Sequence, residues 1–151
     1  MSATTVATQA VQSGAGAKLK LLRFVLLSIA IGHLVVGFMF WFRPDLAVEE
    51  ILAWGPASGW TTILGSYDLS VAFALFLAYR NPLDNLGIVK FVGVLLVLHG
   101  LTHLYYTVIG DSPARFYFVV SYLIAGGIAL LWLGSNEGLK RDPVATPSLG
   151  P

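Results

Sequence analysis

The 151-residue sequence contains no cysteine. Disulfides, thiolate metal centres, dithiol redox relays and c-type haem attachment are therefore excluded. Charge is scarce as well. Asp, Glu, Lys and Arg make up 11% of the residues, against roughly 25% in an ordinary soluble domain. The formal net charge is +1, with no basic patch or stripe, so nucleic acid is excluded as a partner. There is no glycine-rich phosphate loop, no G-x-S-x-G nucleophile elbow and no H-E-x-x-H. The apolar runs hold no glutamate, which removes a ferritin-type di-iron centre.

What is present is apolar surface. The chain is 56% hydrophobic, with a mean hydropathy of +0.77, which is the composition of an integral membrane protein. Its length gives room for one domain. Four hydrophobic runs, over 21–42, 60–79, 87–109 and 116–133, are each near the twenty or so residues that cross a bilayer. The first follows Lys18 and Lys20 and is longer than the h-region of a signal peptide, so it reads as an uncleaved span. Arg43-Pro44 closes it, Arg80-Asn81-Pro82 closes the second, and Gly110-Asp111-Ser112-Pro113 separates the third from the fourth.

Between spans one and two, Asp45, Glu49 and Glu50 alternate with Leu46, Val48, Ile51 and Leu52, the pattern of a short amphipathic helix lying at the interface. Residues 1–20 and 135–151 are polar or small and are expected to be disordered tails. The expected fold is an all-α, up-down-up-down four-helix bundle in the inner or plasma membrane. Seven basic residues (Lys18, Lys20, Arg23, Arg80, Lys90, Lys140, Arg141) fall on the N-terminal side of the bilayer and two (Arg43, Arg115) on the other. This asymmetry places both termini in the cytoplasm.

An ionisable side chain inside a span costs roughly 2.5–3.5 kcal/mol on insertion scales for Asp, Lys or Arg, so each one needs an explanation. Arg23 and Lys90 lie near span ends, where they can snorkel. Four groups remain: His33 on span one, Asp68 on span two, and His99 and His103 on span three. At about 1.5 Å of rise per residue, they lie roughly 18, 16, 18 and 24 Å from the cytoplasmic ends of their helices. All four thus share one slab near the midplane.

Their helix faces also permit contact. Ala30, His33 and Gly37 form a stripe of small or polar residues on span one, and Thr61, Gly65, Asp68 and Ala72 form another on span two. His99, Thr102, His103 and Tyr106 form a polar stripe on span three. On span four, Tyr122, Ala125 and Ala129 are the expected inward residues.

Four readings compete for this cluster. In the first, Asp68 accepts hydrogen bonds from the histidines, and the hydroxyls of Thr102 and Tyr122 complete a network that only pins the helices. In the second, His33, His99, His103 and Asp68 bind a metal ion such as Zn(II), Cu(II) or Fe(II). In the third, His33 and either His99 or His103 are axial ligands of a haem or chlorophyll-type macrocycle. In the fourth, a buried His–Asp pair serves a proton or quinone site.

The Arg43-Pro44 exit, the Gly65…Asp68 stretch, the Arg80-Asn81-Pro82 link and His99-Gly100…His103 resemble the small four-span proteins of the DoxX-like and related uncharacterised families, over roughly residues 20–135. The resemblance implies a four-helix membrane fold. The family name comes from a subunit associated with quinone-linked sulfur oxidation, and the resemblance carries no catalytic residue onto this chain. The function expected is that of an accessory or binding protein, its midplane cluster structural or holding a metal or porphyrin. The alternatives are a quinone-linked redox subunit and a small-solute or proton carrier. The partners expected are the bilayer and either subunits of a membrane complex or a second copy.

Overall fold

The computed structural model describes residues 3–47, 59–109 and 116–135. The structure is all-helical over these residues, with no strand among them. Four helices follow one another: α1 (Ala3–Phe42), α2 (Trp60–Arg80), α3 (Leu86–Val108) and α4 (Phe116–Gly134). Each contains a stretch long and apolar enough to cross a membrane, over Gly16–Phe42, Thr61–Arg80, Leu86–Val108 and Tyr117–Gly134. The amphipathic helix expected after span one falls largely outside the described residues, as does the C-terminal tail from residue 136.

The N-terminal segment differs from expectation. The tail expected to be disordered is helical from Ala3, ahead of the first apolar run. Its residues are free of proline and rich in alanine, with Gln and Lys, all of which favour helix. A 40-residue helix is about 60 Å long, roughly twice the hydrocarbon thickness of a bilayer. Its first turns therefore lie beyond the apolar part of the membrane. At the far end, the exposed Arg43 guanidinium donates to both Asp45 carboxylate oxygens at 3.3 and 3.1 Å. That pairing holds the Asp45 carboxyl below the usual carboxylate range.

The helices pack as two close pairs, α1 on α2 and α3 on α4, with thinner contact between the pairs. Lipid tails are as apolar as leucine, so helix association here depends on close van der Waals approach rather than on expelling water. Glycine supplies that approach. A Cβ on Gly37 would lie 3.1 Å from the carbonyl oxygen of Gly65, and one on Gly65 would lie 3.0 Å from that of Gly37. Gly93 and Gly127 do the same for α3 and α4, at 3.1 and 2.7 Å.

The two ends of the bundle are built differently. At one end, Leu22, Leu26 and Ile29 of α1, Val71 and Leu75 of α2, Val89, Val92 and Leu96 of α3, and Leu130 and Leu133 of α4 form one continuous buried core. Towards the other end, beyond His33, Asp68, His99 and Leu123, the pairs stand apart around a cavity.

The buried face of α4 runs through Val120, Leu123, Gly127, Leu130 and Leu133 rather than through the expected Tyr122, Ala125 and Ala129. Ala125 is exposed. Gly127 replaces the alanines because only a residue without Cβ fits against the α3 backbone.

Gly127→Ala is expected to lower stability by about 1–3 kcal/mol, since the added methyl meets backbone atoms of Gly93 and Val97. Gly87→Ala meets nothing within 4 Å and is expected to be neutral or to gain up to about 1 kcal/mol from helix propensity. Thermal unfolding of the two purified variants separates these outcomes.

Candidate functional site

α1 and α2 bring together the first pair of expected site residues. His33 Nδ1 lies 2.6 Å from Asp68 Oδ1, and both side chains are more than nine-tenths buried. The Gly37–Gly65 crossing sits one helical turn from this contact on both helices, so the same small residues that let the backbones meet set the imidazole on the carboxylate. This pair bridges two helices. A charged carboxylate without it would face hydrocarbon.

α3 carries the second pair. His99 and His103 are one turn apart, their rings stacked at a centroid distance of 4.6 Å, with the two Nε2 atoms 2.8 Å apart. One Nε2 donates a proton to the other at that distance. It is shorter than the roughly 3.3 Å that two nitrogens on one tetrahedral zinc ion keep. The edge of the Tyr67 ring packs on His99 at 5.4 Å, linking this pair back to α2 beside Asp68.

The four residues therefore form two pairs, not one four-donor shell. Among the described residues, no three His, Cys, Asp or Glu side chains are grouped so as to hold a metal ion. Tyr122 and Thr102, expected to complete the network, fare differently. The Tyr122 hydroxyl lies 2.6 Å from where Gly32 would carry a Cβ, so it reaches α1 directly beside His33. Thr102 is exposed, and its hydroxyl donates to the carbonyl of Leu98 one turn back, at 3.0 Å. It takes no part in the cluster.

His33, Asp68, His99 and His103 all line one cavity of ≈ 510 Å³. The remaining walls are mostly apolar: Ile31, Val36 and Phe40 of α1, Leu64 of α2, and Phe118, Val119 and Leu123 of α4. No protein family, curated protein or solved structure matches the chain.

Two features of that geometry lay beyond the sequence reading. One is Tyr67, whose aromatic ring backs His99; its position next to Asp68 was the available signal. The other is the opening of the cavity. Several lining side chains on α1 and α4 are also outward-facing, among them Ile31 at 48% and Phe118 at 78% exposure. The cavity thus opens sideways between α1 and α4, where lipid surrounds a spanning bundle.

Leaving a buried charge without its partner costs about 3–5 kcal/mol, whereas replacing both partners by apolar groups is close to neutral. His33→Leu is therefore expected to destabilise the protein by that amount. The double variant His33→Leu/Asp68→Leu is expected to recover most of the loss. Unfolding free energies of the two variants and of Asp68→Leu complete the cycle, and additive losses would remove the coupling.

Proposed function

We propose that this chain is a multi-pass membrane protein of binding type, which takes an amphiphile from the bilayer into the cavity between its two helix pairs. The observation that carries the reading is the coincidence of His33, Asp68, His99 and His103 on the wall of one laterally open, mostly apolar cavity. Its volume lies inside the roughly 300–1,000 Å³ typical of small-molecule sites, and its few polar groups among many apolar ones match their make-up. Helix packing alone accounts for His33–Asp68. It does not call for the hydrogen bond between His99 and His103, which joins two turns of one helix.

The up-down-up-down topology, a location in the inner or plasma membrane and cytoplasmic termini belong to the same proposal, and the distribution of basic residues supports them. A DoxX-like, quinone-linked role is one specific form of it, since a quinone is a membrane-resident amphiphile. A carrier of small polar solutes or protons draws less support from walls that are mainly apolar. Partner subunits, or a second copy, would cover outward apolar faces that lipid otherwise covers.

One observation favours a second reading, a haem or chlorophyll-type macrocycle. His33 Nε2 and His99 Nδ1 are buried imidazole nitrogens on different helices with no hydrogen-bond partner among the described residues. The two readings part in the absorption spectrum. Binding of a lipid-phase amphiphile predicts no Soret band in the purified protein, while a Soret band lost in His33→Ala assigns the site to a macrocycle.

The binding reading is tested with an environment-sensitive fluorophore on an acyl chain, added to the protein in nanodiscs. Saturable binding is expected in the wild type and a loss of about tenfold or more in Val119→Trp, whose larger ring takes up cavity space from α4. Equal binding by both proteins removes the proposal. Orientation is tested on the cysteine-free background. A membrane-impermeant maleimide is expected to label Ser112→Cys in intact cells, and Ala17→Cys only after permeabilisation.

A further inference from the structure

Polar and apolar groups are not mixed evenly along the cavity. Near the end of the bundle where α1 finishes and α4 begins, its walls include Phe40, Leu64 and Phe118. The polar side chains lie further in. From Phe40 back to Ser28, another wall residue, α1 covers roughly 18 Å, a little over half of the hydrocarbon thickness. Ser28 sits close to the middle of the Gly16–Phe42 span. A phospholipid of one leaflet has the opposite order, with its head at the membrane surface and its chains towards the centre.

Two hydroxyls mark the deep part of the cavity. The Tyr122 hydroxyl lies 2.6 Å from where Gly32 would carry a Cβ, and Ser28 is one helical turn from Gly32 on the same face of α1. All three residues line the cavity. Tyr122 is 37% exposed, and Ser28 is exposed as well. Ser66, Ser70, Thr102 and Thr107 each donate to the carbonyl one turn back, whereas neither Ser28 nor Tyr122 makes a hydrogen bond among the described residues. The imidazoles and the carboxylate on the wall are bonded to one another, His33 to Asp68 and His99 to His103. No Lys or Arg is among the lining residues.

We infer that the ligand is a neutral lipid dissolved in the hydrocarbon interior, and that its uncharged oxygen head, a hydroxyl or a carbonyl, is received by the Tyr122 and Ser28 hydroxyls. A head that reaches mid-span has left the membrane surface, and a charged one pays there as an ionisable side chain does. The wall offers it no fixed counter-charge, since it holds no Lys or Arg and its carboxylate is bonded to His33. An uncharged oxygen has no such cost. It gives two hydroxyls in an apolar setting the hydrogen bonds that the protein does not supply. The hydrocarbon part of the ligand then runs along Val36 towards Phe40 and Phe118, in the order in which the walls become apolar. This inference rests on the binding reading above and adds the chemistry of the head.

The experiment uses the acyl-chain fluorophore in nanodiscs and four competitors of equal chain length at equal mole fraction in the bilayer. They are an alkane, a primary alcohol, an alkyl sulfonate and an alkyltrimethylammonium. In the wild type the alcohol is expected to compete about tenfold better than each of the others, the worth of one shielded hydrogen bond. That advantage over the alkane is expected to vanish in Ser28→Ala/Tyr122→Phe, which removes only the two hydroxyls. If no competitor displaces the fluorophore, the cavity reading falls and this inference with it. If the alkane matches the alcohol, or a charged competitor surpasses it, the cavity reading stands and the neutral head is overturned. These arms use wild-type protein and need no variant to fold. An alcohol advantage that survives the double variant overturns the assignment to Ser28 and Tyr122.

Discussion

A carboxylate held against an imidazole inside four apolar helices sets the terms for the structure around it. Asp68 cannot turn toward lipid without exposing a charge, so the rotation of α2 about its axis is fixed, and His33 fixes that of α1. The Gly37–Gly65 crossing, one turn away, brings the two backbones into close contact beside that pair.

The α3–α4 pair is assembled without such a link. Gly93 against Gly127, and Gly100 against Leu123 and Ile124, bring α4 onto α3 by shape. The histidines of α3 meet α2 through the edge of the Tyr67 ring rather than through a charged contact. Their mutual hydrogen bond closes within a single helix, and one nitrogen of His99 is left over inside the bundle. Buried polar atoms without partners cost about 1–3 kcal/mol each, an expense that nothing in the packing of this pair requires. The two helix pairs therefore divide the labour. α1 and α2 supply a buried His–Asp contact between helices, while α3 carries two histidines that bond to each other within one helix.

Much of this was legible in the sequence. Apolar runs bounded by Arg43-Pro44 and Arg80-Asn81-Pro82 mark where helices stop, because proline and charge both resist continuing into hydrocarbon. Depth and the small residues beside them put His33 and Asp68 in one cluster with His99 and His103. The rotation of α4 was not legible, because in lipid both faces of a helix are apolar and periodicity carries little contrast. The choice between Ala125 and Gly127 is made by the shape of α3, which no local pattern in α4 records. Thr102 misled for a related reason: a hydroxyl that can donate to the carbonyl of Leu98 has no need of the polar cluster. Depth likewise put three imidazoles in one slab without showing that they divide into two pairs.

The cavity makes sense in the same terms. Tight glycine contacts lie within each helix pair, while large side chains such as Phe40 and Phe118 line the cavity. In water, such a volume lined by apolar groups would cost stability and tend to collapse. In a bilayer it opens onto acyl chains, which fill it at little cost. Any specific occupant must then displace lipid of much the same apolar character, and the apolar walls cannot tell the two apart. Discrimination has to come from the few polar atoms on the wall. The polar residues on that wall are His33, Asp68, His99, His103 and Tyr122, with Ser28 at the α1 side.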